Sequence, residues 1–132
     1  MSRVPDVRSC TEDDGSAVVE FVLVSVLVVT LLLALVQVAV ALHIRNTLIS
    51  AAGEGARFAA AADQTPSAGA EHTRALIRES LPDDFADDVR AEYETVAGVT
   101  TVAVTVTADL PVVGWFGPAG AMTVSGHAME ES

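Results

Sequence analysis

Basic residues are scarce in this chain. It has no lysine, and its seven arginines stand against 18 aspartates and glutamates in 132 residues, a formal net charge of -11. Such a surface lacks the footprint that phosphate-backbone binding requires, which argues against a nucleic-acid partner. Cysteine is almost absent as well. Cys10 alone can make neither an intramolecular disulfide nor a cysteine-rich zinc site, and no apolar stretch precedes it as a lipoprotein signal would require. Aromatic residues make up only 5% of the chain, and the length allows one compact domain at most, with an anchor or tail. A large multi-domain enzyme is excluded. The histidines, His43, His72 and His127, are scattered, and no glycine-rich phosphate loop occurs. We therefore expect neither an enzyme nor a cofactor or metal site.

What is abundant is apolar and unevenly placed. Residues 21–42 contain no charge, glycine or proline, and 16 of the 22 are Val, Leu or Phe. As a helix this run reaches about 33 Å, enough for a hydrocarbon core of about 30 Å. A secretory signal has a shorter apolar region ending in a small-residue cleavage site, and a buried core helix shows a polar stripe. Neither description fits, so the run is read as one transmembrane helix in a lipid bilayer. Orientation does not follow from charge, because Arg3 and Arg8 before the run balance Arg45 and Arg57 after it.

The start of the run is more specific. Asp13-Asp14-Gly15-Ser16-Ala17-Val18-Val19-Glu20-Phe21 places a glycine at its edge and a single acid inside its beginning. An intramembrane carboxylate is costly and points to function. If the chain were cut after Gly15, Ser16 would carry a new α-amino group with Glu20 at i+4 on the same helix face. The cation could then neutralise the acid in the same subunit or in a neighbour. Alternatively, Glu20 favours the positive end of the helix dipole at the interface.

Gly15 followed by Ser-Ala-Val-Val-Glu20-Phe21 and a long apolar helix resembles the processing site of type IV prepilins, which a membrane aspartyl peptidase cuts after the glycine. Beyond the span, Arg45-Asn46-Thr47-Leu48-Ile49-Ser50-Ala51-Ala52-Gly53-Glu54-Gly55-Ala56-Arg57-Phe58-Ala59-Ala60 is similar to the stretch after the membrane helix in TadE-like pseudopilins of the tight-adherence (Flp) pilus system. The resemblance extends over residues 15–62. It departs from the family pattern at Val26, where relatives often carry a proline, and at Gln37-Val38, where they carry a glutamate-aromatic pair. A straighter helix is expected without the proline. The resemblance implies a cytoplasmic leader, residues 1–15, removed by prepilin peptidase. It further implies an N-terminus in the cytoplasm, a C-terminal domain outside the cell membrane, and possible incorporation into an extracellular pilus. The implied processing residues are Gly15, Ser16, Glu20 and Phe21, and the implied assembly residues are Glu20, Asn46, Ala51, Ala52, Gly55, Arg57 and Ala59. The implied partners are prepilin peptidase, other pilins or pseudopilins and the inner-membrane assembly platform.

After the span, Leu48, Ala51, Ala52, Gly55, Ala59 and Ala62 recur at helical spacing and form a face of small residues. Gly53 and Gly55 each cost a helix about 1 kcal/mol relative to alanine, which favours a close-packing role. That face could meet this subunit's own C-terminal domain or neighbouring subunits. Gly55→Leu is expected to disturb assembly more than expression.

The helix should end near Ala62-Asp63. Thr65-Pro66 supplies a cap and a first-turn proline for a second helix, which runs to about Leu81 and is stopped by Pro82. Its apolar positions, Ala68, Ala75, Leu76 and Leu81, predict one thin buried stripe. The acidic cluster Asp83-Asp84-Phe85-Ala86-Asp87-Asp88 lacks calcium-loop spacing and reads as a solvated turn. Residues 89–96, then 99–107 after Ala97-Gly98, and 121–129 read as strands. Trp115-Phe116, between the last two, is either an exposed membrane-interface anchor or a plug for the small sheet, and the plug is preferred.

The expected fold is α+β and pilin-like: a long N-terminal helix whose first half spans the membrane, a short helix and a small antiparallel β-sheet. The expected organisation is leader 1–15, transmembrane helix 16–45, small-residue extension 46–63 and extracytoplasmic domain 64–132. The leading function is a minor pilin or pseudopilin of a tight-adherence pilus, or of a related secretion machine, acting by helix-mediated assembly. The alternative is an uncleaved single-pass membrane protein whose outer domain binds a ligand or partner as a sensor or accessory subunit.

Overall fold

In the computed structural model the residues described are 7–61, 63–110 and 120–130, with side chains from residue 13 onward. Two compact units divide the chain, Met1–Val38 and Ala39–Ser132. Helix α1, Val7–Ala60, contributes to both. No proline interrupts those residues, so every amide beyond the first turn can donate within the helix. Within it lies the one described stretch long and apolar enough to cross a membrane, and none of its most apolar part is buried. Two polar side chains in that stretch satisfy themselves locally. The hydroxyls of Ser25 and Thr30 donate to the Phe21 and Val26 carbonyls, each at 2.7 Å. Such i−4 bonds hide a hydroxyl from hydrocarbon.

The second unit holds an α+β arrangement. Asp63, with φ 70°, turns the chain after α1, in a left-handed conformation that a short polar side chain tolerates. Helix α2, Pro66–Ser80, starts where the sequence places it: Thr65 Oγ1 accepts from the Ala68 amide at 3.2 Å and Pro66 occupies the first turn. It closes with the Leu81 amide donating to the Ile77 carbonyl at 2.7 Å, just before Pro82. Its buried stripe is Gly69, Ala70, Thr73 and Ile77. This differs from the predicted stripe, since Ala75 is exposed while Ala68, Leu76 and Leu81 are only half-buried. The reason is the close approach of α1 at Gly55, which buries the small Gly69 and Thr73 there and leaves Ile77 as the one large apolar residue of the stripe.

The acidic cluster forms a short 3-10 turn, Asp83–Ala86, with Ala86 buried and Asp83, Asp84 and Asp87 exposed. Strands β1 (Asp88–Val96), β2 (Val99–Asp109) and β3 (Ala121–Met129) follow as an antiparallel sheet in the order β1-β2-β3. In β1–β2 Val89 faces Val106 and Val96 faces Val99, and in β2–β3 Val106 faces Val124. Alternation puts Val102, Val104 and Val106 on one fully buried face, with Thr101, Ala103, Thr105 and Thr107 on the other. The core consists of these valines, Val89, Val124, Ile77, Leu48 and the alanines of α1. Trp115 and Phe116 lie outside the described residues, as do Ala62 and the side chain of Cys10.

The β1–β2 turn puts both central residues at positive φ, Ala97 at 52° and Gly98 at 83°. That is the geometry of a two-residue hairpin turn that favours Asn-Gly, and alanine at its first position is strained by about 1–2 kcal/mol. Ala97→Asn is therefore expected to stabilise the second unit by about 1 kcal/mol, seen as a higher midpoint in thermal unfolding. An unchanged or lower midpoint would contradict the strain.

Candidate processing and assembly site

Gly15, Ser16, Glu20 and Phe21 all lie in α1 and are all exposed. Gly15 has helical neighbours on both sides, yet a Cβ built on it would meet no atom within 4 Å. Among the described residues neither packing nor backbone conformation calls for a glycine there, although it costs a helix about 1 kcal/mol relative to alanine. In the uncut chain Glu20 lies more than three turns from the start of α1 at Val7, beyond reach of the helix terminus, whose field acts over the first turn. Thus the dipole explanation applies only to a chain shortened to begin near Ser16. Among the described residues no cation lies within ion-pair distance of Glu20.

The small-residue face has a different environment. Ala51, Ala52, Gly55 and Ala59 are buried, while Asn46 and Arg57 are exposed. Gly55 lies against Thr73 and Gly69 of α2. A Cβ on Gly55 would overlap the Thr73 hydroxyl and approach the Gly69 carbonyl to 2.8 Å, and a Cβ on Gly69 would come within 2.7 Å of the Gly55 carbonyl. Thr73, fully buried, donates to the Gly69 carbonyl at 2.8 Å, with the Ala51 carbonyl 3.4 Å away. On the sheet side, a Cβ on Gly126 of β3 would overlap the backbone of Ala52 and Gly53. Both helix and sheet therefore close on this face within one subunit. Arg57 pairs with Glu54 at 3.5 Å in the open, where such a pair contributes little. Asn46 lines a groove of about 440 Å³ with Glu54 and, from α2, Leu76 and Glu79.

The sequence offered no sign that Thr73 and Gly69 meet α1. For Gly126 a signal exists, a glycine in mid-strand, which marks a close approach of another backbone. Also unforeseen is Arg74, which bonds Glu71 at 2.8 Å and the Val89 carbonyl at 2.9 Å and so ties α2 to β1. The three histidines stay apart: His43 is exposed, His72 stacks on Phe58 with ring centres 4.4 Å apart, and His127 lies 3.5 Å from Glu94. Among the described residues no three His, Cys, Asp or Glu side chains gather as a metal site.

Residues 15–57 match the family model described as TadE-like protein. No curated protein and no solved structure matches the chain. The matched segment runs from Gly15 through Glu20 and the apolar stretch to Arg57, and leaves α2 and the sheet outside it. Residues 15–57, with Gly15, Glu20 and the apolar stretch, are thus similar to TadE-like proteins, a pilus-associated family, and the helix that holds them is long and apolar enough to cross a membrane once.

Proposed function

We propose that this protein is a pseudopilin, or minor pilin, of a tight-adherence pilus or a related secretion machine, processed by prepilin peptidase and acting through helix-mediated assembly. The observation that carries the reading is Gly15. It is exposed within a helix, among the described residues no atom needs it to be glycine, and it stands five residues before the lone acid of an exposed apolar stretch inside the TadE-like segment. A peptidase that recognises glycine supplies the missing reason. On this reading residues 1–15 are a cytoplasmic leader, 16–45 the membrane helix, 46–63 its extension and 64–132 the domain outside the membrane. The partners are the peptidase, other pilins or pseudopilins, and the assembly platform in the inner membrane.

Burial of the small-residue face inside the subunit shifts the surface available to neighbours. Ala51, Ala52, Gly55 and Ala59 act by fixing the outer domain onto α1, and the exposed apolar part of α1 with Glu20, Asn46 and Arg57 is left to meet other subunits. The test is intact mass with N-terminal sequencing of the protein from membranes, with and without the cognate peptidase. A peptidase-dependent start at Ser16, abolished by Gly15→Leu, is expected. A leader that stays on under every condition would overturn the reading and favour a plain membrane anchor with a binding domain.

A further inference from the structure

Past its apolar run α1 keeps an uncharged seam on the side turned away from its own subunit. Leu35, Ala39, Leu42, Asn46, Ile49 and Gly53 follow one another at alternating steps of four and three residues, the repeat of a left-handed coiled-coil seam. Gly53 is half-buried and the other five are exposed. In a seven-residue repeat with Asn46 at the first position, the buried Ile44, Leu48, Ala51 and Gly55 all fall at the third and sixth, the opposite side of the helix. The seam stops at Gly53, because the next position in the repeat, Ala56, is buried in its own subunit.

Two seam residues have no reason within the subunit to be what they are. Ile49 is 41% exposed, a large aliphatic side chain seven residues beyond Leu42, where the apolar run ends. A Cβ on Gly53 would meet only the flexible end of Arg57 at 3.8 Å, so among the described residues nothing needs a glycine there, although it costs a helix about 1 kcal/mol relative to alanine. An exposed isoleucine beside a bare stretch of helix backbone fits a second helix lying against both.

We propose that this seam pairs with the same seam of a second copy, as a parallel, in-register coiled coil about a two-fold axis along α1. Two copies whose helices cross one bilayer in the same direction bring each seam residue to the level of its twin, which makes the contact isologous. Asn46 then faces Asn46. A side-chain amide carries both donors and an acceptor and so complements itself, and a single Asn at such a position selects register and strand number. Gly53 facing Gly53 lets the backbones approach closely, and Ile49 is covered by Ile49. Charge favours the same occupant. Two copies of a chain of net charge -11 repel over most of their surface, and this seam sets no carboxylate of one against the other. The pairing deepens the helix-mediated assembly proposed above and rests on it, though not on removal of the leader.

The test uses the full chain in its membrane, with Cys10→Ser to remove the native thiol and Ile49→Cys as reporter. Helix axes about 8–10 Å apart, with Cα atoms about 2.3 Å from each axis, leave facing seam Cα atoms about 4–6 Å apart, within disulfide range. Mild oxidation is expected to give a linked dimer from Ile49→Cys and none from Glu54→Cys, which is exposed on α1 but off the seam. Adding Asn46→Asp sets carboxylate against carboxylate and is expected to lower the dimer yield about tenfold. Asn46→Asp chains sharing a membrane with Asn46→Lys chains of another tag length are expected to recover it, as the mixed pair. That recovery also controls for folding of both variants. No dimer from Ile49→Cys, an equal yield from Glu54→Cys, an undiminished yield with Asn46→Asp, or a cross-link to a protein of another mass would each overturn self-pairing along this seam. Intact mass of the same material reports cleavage separately, so a chain that starts at Ser16 and gives no dimer sinks the pairing and leaves the pseudopilin reading standing.

Discussion

Gly126→Val and Gly55→Leu are expected to prevent the second unit from accumulating in folded form, while Gly53→Ala stabilises it. At Gly126 the new side chain would have to occupy the backbone of Ala52 and Gly53, which no rotamer change can clear. At Gly55 it would displace the buried Thr73 hydroxyl and press on the Gly69 carbonyl. Overpacking of this kind costs about 1–3 kcal/mol or more, a large share of the stability of a unit this small. Gly53 is different, since its nearest neighbour is the flexible end of Arg57 at 3.8 Å. Alanine there gains about 0.5–1 kcal/mol of helix stability. Membrane-fraction level and protease resistance of the region after the span measure all three. The sequence alone led to an expected assembly defect for Gly55→Leu. Closure of the face on its own subunit changes that to a folding defect, seen before assembly begins. Equal behaviour of the Gly53 and Gly55 variants would sink the interlock.

On the proposed pseudopilin reading, Glu20→Ala is expected to leave cleavage after Gly15 in place and to abolish incorporation. Glu20 is exposed in α1 and has no cationic partner within the chain among the described residues, so its charge must be met from elsewhere once it enters hydrocarbon. On that reading, a Ser16 amine created by processing, in the same or a neighbouring subunit, would lie on the matching helix face. Removing the carboxylate removes that pairing and makes the helix more apolar, so the variant should stay in the membrane. Fractionation of the sheared surface material against the membrane would decide it. Incorporation at the native level would leave Glu20 without the assembly role, whether or not the leader is removed.

Much of the second unit was legible locally. The Thr65 cap with Pro66, the stop at Pro82, the Ala97-Gly98 turn and the valine-threonine alternation are signals carried by a few adjacent residues, and each element forms where its signal lies. The stripe of α2 differs from the expected one because apolar character alone points to Ala75 and Leu76, whereas a close helix pair buries Gly69 and Thr73 beside Ala70 and Ile77. Of the site, Gly15 and Glu20 stood out in the sequence because each costs something where it is: one helix propensity, the other desolvation. The meeting of Gly126 with Ala52 did not, because it joins residues far apart in the chain and nothing in either local pattern names the other.

The sequence by itself determined the membrane helix, the order of the elements and the TadE-like segment, since periodicity, composition and motif spacing are properties of neighbouring residues. Only the tertiary structure decided what the small-residue face is for. A stripe of alanine and glycine offers the same close approach to any surface. Which surface takes it depends on Gly69, Thr73 and Gly126 arriving there together, and it is the missing side chains of Gly55, Gly69 and Gly126 that let α2, with Thr73, and β3 close on α1 within one chain.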